Sequence, residues 1–315
     1  MKKPHVLFVT EKYADANPAW LSNSHHNLFG SLECSSLATY SNFFLEENLQ
    51  YLDDKLITYH RRLAPDLVVV TILPTKGFNS NPTDKALSTI RGKTPIAFIW
   101  FDAVHKEIMD RARHMERYAA LNLILDTPFF IPNDKYLSLW TPQDTRIYKD
   151  DNMPRNIDVS FAGSMAGYPD REEGISHLMA NVNACICRDG GQREKNLKPQ
   201  DYAQVMQKSK ISLSFSKTRD GKHQTKGRIW EVTLSGAMLM EDINQGTGQW
   251  FEPFKDYVPF VSKEDLVDKV NYYLSQPGKL AEIAANGKRK SEMYYSPKNW
   301  WFTILSRCGI QTSTT

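Results

Sequence analysis

The sequence is poor in cysteine and has no long apolar run. Its four cysteines, Cys34, Cys185, Cys187 and Cys308, form no C-x-x-C pair. The second pair that a zinc site would need is therefore absent, and the thiols read as reduced and structural. The opening MKKPHVLFVTEKY has the charge of a secretory leader, but its apolar run stops too early for one. No stretch approaches the roughly 18 apolar residues of a membrane span. A cytoplasmic protein without integral membrane association is expected.

Several catalytic signatures are also missing. No G-x-G-x-x-G follows the first apolar run and no G-x-x-x-x-G-K-[ST] occurs, which argues against dinucleotide-dependent dehydrogenases and P-loop NTPases. Without G-x-S-x-G or H-E-x-x-H, serine hydrolases and zinc proteases lose their ground as well. No two aspartates stand at i and i+2, so a D-x-D metal clamp is lacking. His25 and His26 are adjacent, and neighbours at i and i+1 do not share a helix face, so they are poorly spaced as metal ligands. No metal is expected.

What is present is ordinary globular composition, 41% hydrophobic and 24% charged over 315 residues, with a formal charge of only +3. That charge is too weak for general nucleic-acid affinity, and the length suits two domains. Short β-branched runs alternate with helical patterns throughout, the signature of parallel βα units. In the first half the runs are HVLFV, DLVVVTIL, PIAFIWF and LNLIL, with SSLATYSNFFLEENLQYL and AVHKEIMDRARHMERY as helices between them. In the second half they are IDVSFAG, NACIC, KISLSFS, AMLME and YVPFV. An α/β protein of two doubly wound, Rossmann-like domains follows, residues 1–150 and 151–315, joined near YKDDNMPRN and facing across a ligand cleft. The aromatic closing segment SPKNWWFTILSRCGI reads as a packing helix of the second domain.

Charge is concentrated in one place. From Lys208 to Arg228 there are seven Lys or Arg residues and one acid, Asp220. Thr225 can cap a helix that starts with Lys226, Gly227 and Arg228, and Gly236 can stop it. A helix start carrying Lys226 and Arg228 suits a diphosphate, and Glu231, three residues after Arg228, can accept hydrogen bonds from ribose hydroxyls. The plainer alternative is a surface i,i+3 ion pair between Arg228 and Glu231. The loop's position after an apolar strand, where open α/β sheets bind ligands, favours the nucleotide reading.

KISLSFSKT, HQTKGRIWEVTLSGAMLMED, WFEPF and VSKEDLVDKVNYYLSQPGKLAEIAANGKRK together resemble the glycosyltransferases group 1 domain, in its spore-maturation-type branch, of the GT-B enzymes. The likeness runs from about Ile157 to Tyr295; the first half shares only its α/β pattern and IWFD, which ends at Asp102. It implies a nucleotide-sugar donor, a UDP-sugar before others, held by the C-terminal domain with no further cofactor. Lys226 and Arg228 would lie on the diphosphate and Glu231 on the ribose. Many relatives carry an E-x7-E motif whose first glutamate is replaced here by His223. Gly163 and Ser164, in FAGSMAGYPDR, are further donor contacts, with Ser216 and Thr218 as weaker ones.

Transfer requires stabilisation of the leaving diphosphate and removal of a proton from the acceptor hydroxyl. In retaining relatives the leaving phosphate oxygen is thought to take that proton. A protein base, if used, is expected from the N-terminal side, Asp102 first and His105 second, although Asp102 equally reads as a helix cap. The leading expectation is a metal-independent, retaining transferase acting on a saccharide or lipid-linked glycan. The alternatives are a modified nucleic-acid base as acceptor, with salt-dependent binding, and a non-catalytic sugar-nucleotide sensor.

Overall fold

The computed structural model describes residues 2–14, 17–18, 21–72, 81–126, 133–188 and 198–312. The chain divides into two units, Met1–Asp144 with Ser296–Thr315, and Thr145–Tyr295.

The first unit contains a six-stranded, all-parallel sheet of β1 (His5–Thr10), β2 (Thr39–Phe44), β3 (Leu67–Thr71), β4 (Ile96–Trp100), β5 (Leu121–Leu125) and β6 (Tyr136–Leu139), in the order β2-β1-β3-β4-β5-β6. Every residue of β3, β4 and β5 is buried, which explains why these strands read as continuous apolar runs without alternation. Helices α1 (Ser31–Ser35), α2 (Leu52–Leu63), α3 (Asp84–Arg91) and α4 (Lys106–Met115) complete the crossovers.

Two expectations change here. Thr39–Phe44, read as part of a helix, is the edge strand β2. Ser36 takes a left-handed conformation at φ 56° and stops α1, after which the run of Thr, Tyr and Phe pairs with β1. The closing segment forms a helix, α10 (Pro297–Arg307), whose start is capped by the Ser296 hydroxyl accepting from the Asn299 N–H at 3.2 Å. It belongs to the first unit and not to the second, as the linker-based boundary implied. Trp300 and Trp301 are fully buried there, the Trp301 indole N–H donating to Ser31 Oγ at 3.0 Å and that of Trp300 to the Trp140 carbonyl at 2.8 Å.

The second unit repeats the plan with β7 (Ile157–Gly163), β8 (Ala184–Arg188), β9 (Ser209–Ser214), β10 (Met238–Asp242) and β11 (Val258–Phe260), all parallel, in the order β11-β10-β9-β7-β8. Its helices are α5 (Pro169–Asn181), α6 (Pro199–Gln207), α7 (Arg228–Leu234), α8 (Lys263–Ser275) and α9 (Pro277–Tyr294). The core joins Val159, Phe161, Ile211, Leu213, Met238 and Met240 from the strands to Leu266, Val270 and Ile283 from α8 and α9.

Tyr148–Asn156, expected as a polar linker, is fastened to this unit. Arg155 donates to the carbonyls of Gln207, Ser209 and Ser235 at 2.8–3.0 Å and pairs with Asp150 at 3.0 Å. Gly236 ends α7 as expected, at φ +76°, and a Cβ there would stand 2.5 Å from the Arg155 guanidinium.

Counting from β7, the local strand order is 2-1-3-4-5. Strand order reverses between β7 and β9, so the crevice outside their carboxyl ends is the topological switch point where open α/β sheets bind ligands. Among the described residues, no helix is long and apolar enough to cross a membrane.

Candidate active site

Two loops leave the switch point. The first leaves the last residue of β7, Gly163, and runs through Ser164 toward α5. A Cβ on Gly163 would stand 2.5 Å from a terminal nitrogen of Arg228, so only glycine lets that guanidinium rest on the backbone. The Ser164 carbonyl accepts from the Arg171 guanidinium at 2.5 Å. Arg171 is buried at 6% exposure, with its cationic carbon 4.0 Å from the centre of the Tyr168 ring, and it fixes the loop from beneath.

The second loop follows β9 and doubles back on itself, Lys217 pairing with His223 and Gly221 supplying the turn at φ +79°. The buried Ser216 hydroxyl donates to Asp242 at 3.0 Å and lies 2.7 Å from Nδ1 of His223. Thr218 Oγ1 is engaged inside the turn by Asp220 and by the Lys222 backbone. Both hydroxyls, expected as ligand contacts, make these bonds within the loop and to Asp242, and the Ser216 hydroxyl lies against His223.

Helix α7 starts two residues later than the capping pattern suggested. Gly227 occupies the N-cap position, and the Thr225 hydroxyl makes no cap. Thr225 is instead buried, at 2% exposure, within the segment that leads into the helix. The Lys226 ammonium bonds the Gln224 side chain, and the Gln224 carbonyl accepts from Asn244 at 3.0 Å. Seven residues make a short helix, and Lys226 and Arg228 flank its Gly227 N-cap.

Arg228 and Glu231 lie on one face as their spacing predicts, and a third residue stands between them. Arg228 Nε–H donates to the Tyr202 hydroxyl at 3.0 Å, and that hydroxyl donates to Glu231 Oε2 at 2.9 Å. The guanidinium also lies 5.0 Å over the Phe161 ring. Burial pushes the Glu231 carboxyl above its usual range, opposed by Arg228 and the Tyr202 hydroxyl, and burial pushes the Tyr202 phenol up.

A second buried acid acts electrostatically on Arg228. Glu241, at the end of β10, is fully buried and accepts from the hydroxyls of Ser214 at 3.0 Å and Thr247 at 2.5 Å. Burial, then the neighbouring Asp242, pushes its carboxyl up to about 8. Sequence reasoning missed Tyr202 and Glu241. Tyr202 sits 26 residues before Arg228 on a separate helix, and Glu241 read as the apolar strand's polar end.

Asp102 and His105 belong to the first unit, in the turn after β4. Asp102 has φ +56°, and its N–H donates to the Asp126 carboxylate at 2.7 Å. The N-cap position of α4 is held by His105, without a side-chain cap bond, so Asp102 does not cap that helix. His25 and His26 open a π-helical turn in the same unit; burial lowers both, His26 to about 4. Among the described residues, no group of three His, Cys, Asp or Glu side chains could hold a metal ion.

Residues 150–306 match the glycosyl transferase-like family. No curated protein matches the sequence. The Anabaena protein HepE in complex with UDP-glucose is 13% identical and superposes with a TM-score of 0.67 over 96% of this chain and 100% of that one. A glycosyltransferase from Rickettsia africae is 8% identical, with a TM-score of 0.60 over 98% of each chain. TarM from S. aureus, solved with UDP and alpha-GlcNAc-glycerol, is 12% identical, with a TM-score of 0.57 over 80% of this chain and 58% of that one. At such identities the likeness is one of fold, and it agrees with two doubly wound parallel sheets in sequence. Residues 150–306 match the glycosyl transferase-like family, and the chain shares the fold of the GT-B glycosyltransferase structures on which it superposes.

Proposed function

We propose that the protein transfers a sugar from a UDP-sugar to a hydroxyl of a saccharide or lipid-linked glycan, with retention and without a metal ion. The observation that carries this reading is the Arg228–Tyr202–Glu231 chain beside Gly163 at the switch point of the second unit. It sets a cation and a carboxylate side by side at the place where an open α/β sheet receives a nucleotide. The fold likeness to proteins solved with UDP or UDP-glucose supports uridine as the base. The alpha-GlcNAc-glycerol in the TarM crystal supports a glycan over a nucleic acid as acceptor.

In this reading Lys226 and Arg228 hold the diphosphate, and their charge stabilises it as the bond to the sugar breaks. Glu231 accepts from the ribose hydroxyls, and the backbone at Gly163 and Ser164 admits the phosphates at close range. His223, held through Ser216 by Asp242, takes the place of the carboxylate that relatives set near the sugar. The acceptor proton passes to the leaving phosphate oxygen, and Asp102 and His105 are the groups of the first unit assigned to the acceptor side.

The test is calorimetric titration with UDP, GDP, dTDP, CDP and their sugar conjugates, with and without chelator. Selective binding of a uridine diphosphate that chelator leaves unchanged, and that Arg228→Ala weakens about tenfold or more, is expected. Equal affinity in a folded Arg228→Ala protein would remove the site.

A further inference from the structure

Resting on that reading, we propose that Tyr202 is a positioning residue that sets the spacing between the diphosphate-binding cation and the ribose-binding carboxylate, and thereby the enzyme's preference for ribonucleotides over 2′-deoxyribonucleotides. Its single hydroxyl does two jobs in one direction. It accepts from Arg228 Nε at 3.0 Å and donates to Glu231 Oε2 at 2.9 Å. A phenol offers one donor proton, so with Glu231 as its acceptor the chain of donors runs Arg228 to Tyr202 to Glu231.

The consequences for the two partners differ. Arg228 is bonded at Nε by Tyr202, lies over the Phe161 ring and has a terminal nitrogen close against the bare backbone of Gly163. These contacts fix the guanidinium beside the end of β7. Glu231 keeps one oxygen on Tyr202, which fixes the rotation of the carboxylate and assigns Oε1 to a ligand. A free carboxylate could turn to suit either sugar, whereas one pinned at Oε2 presents a defined acceptor to a vicinal diol.

The tyrosine is itself rigidly placed. It stands in the first turn of α6, which packs on β7, β9 and α7, and its ring meets Tyr148 edge-on at 6.3 Å. Burial raises the phenol above its ordinary value, so the donor proton is present across the physiological range. A buried hydroxyl shared between a cation and an anion also screens their direct collapse into an ion pair, which would close the site to ligand.

The experiment compares UDP and 2′-deoxy-UDP binding, by calorimetry, for the unaltered protein and for Tyr202→Phe, Arg228→Ala, Glu231→Gln and the Tyr202→Phe/Arg228→Ala pair. Tyr202→Phe is expected to weaken UDP about tenfold and to cut the UDP preference over 2′-deoxy-UDP by a similar factor. Glu231→Gln retains an oxygen acceptor for Tyr202 and is expected to lose the ribose preference while keeping dependence on the diphosphate. In the paired variant the Tyr202 and Arg228 effects should fall short of additive, because one acts through the other.

Thermal melting of each variant separates a local effect from a loss of fold, and if Tyr202→Phe melts early, the folded Glu231→Gln protein carries the ribose arm alone. Tyr202→Phe with unchanged UDP affinity and unchanged ribose preference overturns this proposal while leaving the donor site standing. Equal binding of both nucleotides by the unaltered protein overturns it as well. No UDP binding by the unaltered protein, or binding that Arg228→Ala leaves untouched, overturns the donor reading itself.

Discussion

The Arg228 guanidinium rests on the backbone of Gly163, where a Cβ would stand 2.5 Å from its terminal nitrogen. The contact ties the last residue of β7 to the start of α7, two segments that the sequence separates by more than sixty positions but that the sheet's switch point brings together.

Gly163→Ala tests that contact. The added methyl must push the guanidinium away from Phe161 and from Tyr202, so the lost charge-assisted bond should weaken UDP binding by about tenfold or more. The fold should lose about 1–3 kcal/mol as well, because Gly163 sits at φ +158°, where any side chain is strained, and the methyl must also displace the end of the Arg228 side chain. Calorimetric affinity and a urea melt measured on the same preparation check both halves. Normal affinity in the folded variant would show that the close approach has no bearing on the ligand.

Glu241 gives a pH dependence with a definite sign. Its folded carboxyl is pushed up to about 8 by burial first and Asp242 second, against an ordinary value of 4.5. Between those two values the unfolded chain releases the proton and the folded chain keeps it. The unfolded state then binds fewer protons, so the stability contribution of this group falls as pH rises from about 4.5 to 8. Glu241→Gln removes that slope while keeping groups that the Ser214 and Thr247 hydroxyls can meet. The variant should gain on the parent by roughly 1–3 kcal/mol between pH 5 and pH 8, read as the difference in urea midpoints. Parallel curves for the two proteins would contradict the assignment.

How much of this was legible follows from range along the chain. Buried parallel strands such as LNLIL and IDVSFAG announce themselves locally, and Leu121–Leu125 and Ile157–Gly163 lie where their apolar runs place them. β2 hid because its outer face is half exposed and Thr39–Phe44 was joined to the helical residues before it, while the left-handed turn at Ser36 leaves no glycine to mark it. Arg228 and Glu231 were legible as a pair three residues apart. The hydroxyl between them was not, because Tyr202 comes from another helix and only the packed sheet brings it near. Thr225 misled in the other direction, since a threonine before a helix reads as a cap unless its own burial is known.

Gly287 should be a site of stability without function. It lies on the inner side of α9, where a Cβ would stand 2.5 Å from the Asp256 carbonyl oxygen and 3.3 Å from the Thr233 methyl. The obstacle is backbone, so the helix itself must move, and Gly287→Ala should cost about 1–3 kcal/mol in urea unfolding. At temperatures where the variant remains folded, its UDP affinity should equal that of the parent.

Trp301 should show how far the first unit depends on the last helix. Its indole is fully buried, meets the Phe8 ring edge-on at 5.7 Å and donates to Ser31 Oγ at 3.0 Å, while Ser31 donates in turn to the carbonyls of Asn27 and Leu28. Trp301→Phe keeps much of the apolar volume and loses the indole donor, so it should cost about 1–2 kcal/mol. Trp301→Ala opens a large cavity as well and should cost about 3–5 kcal/mol. If α10 were only a surface strap, both variants would unfold at the parental urea concentration. A graded loss, Ala well beyond Phe, is the outcome that makes residues 296–312 part of the first unit's core.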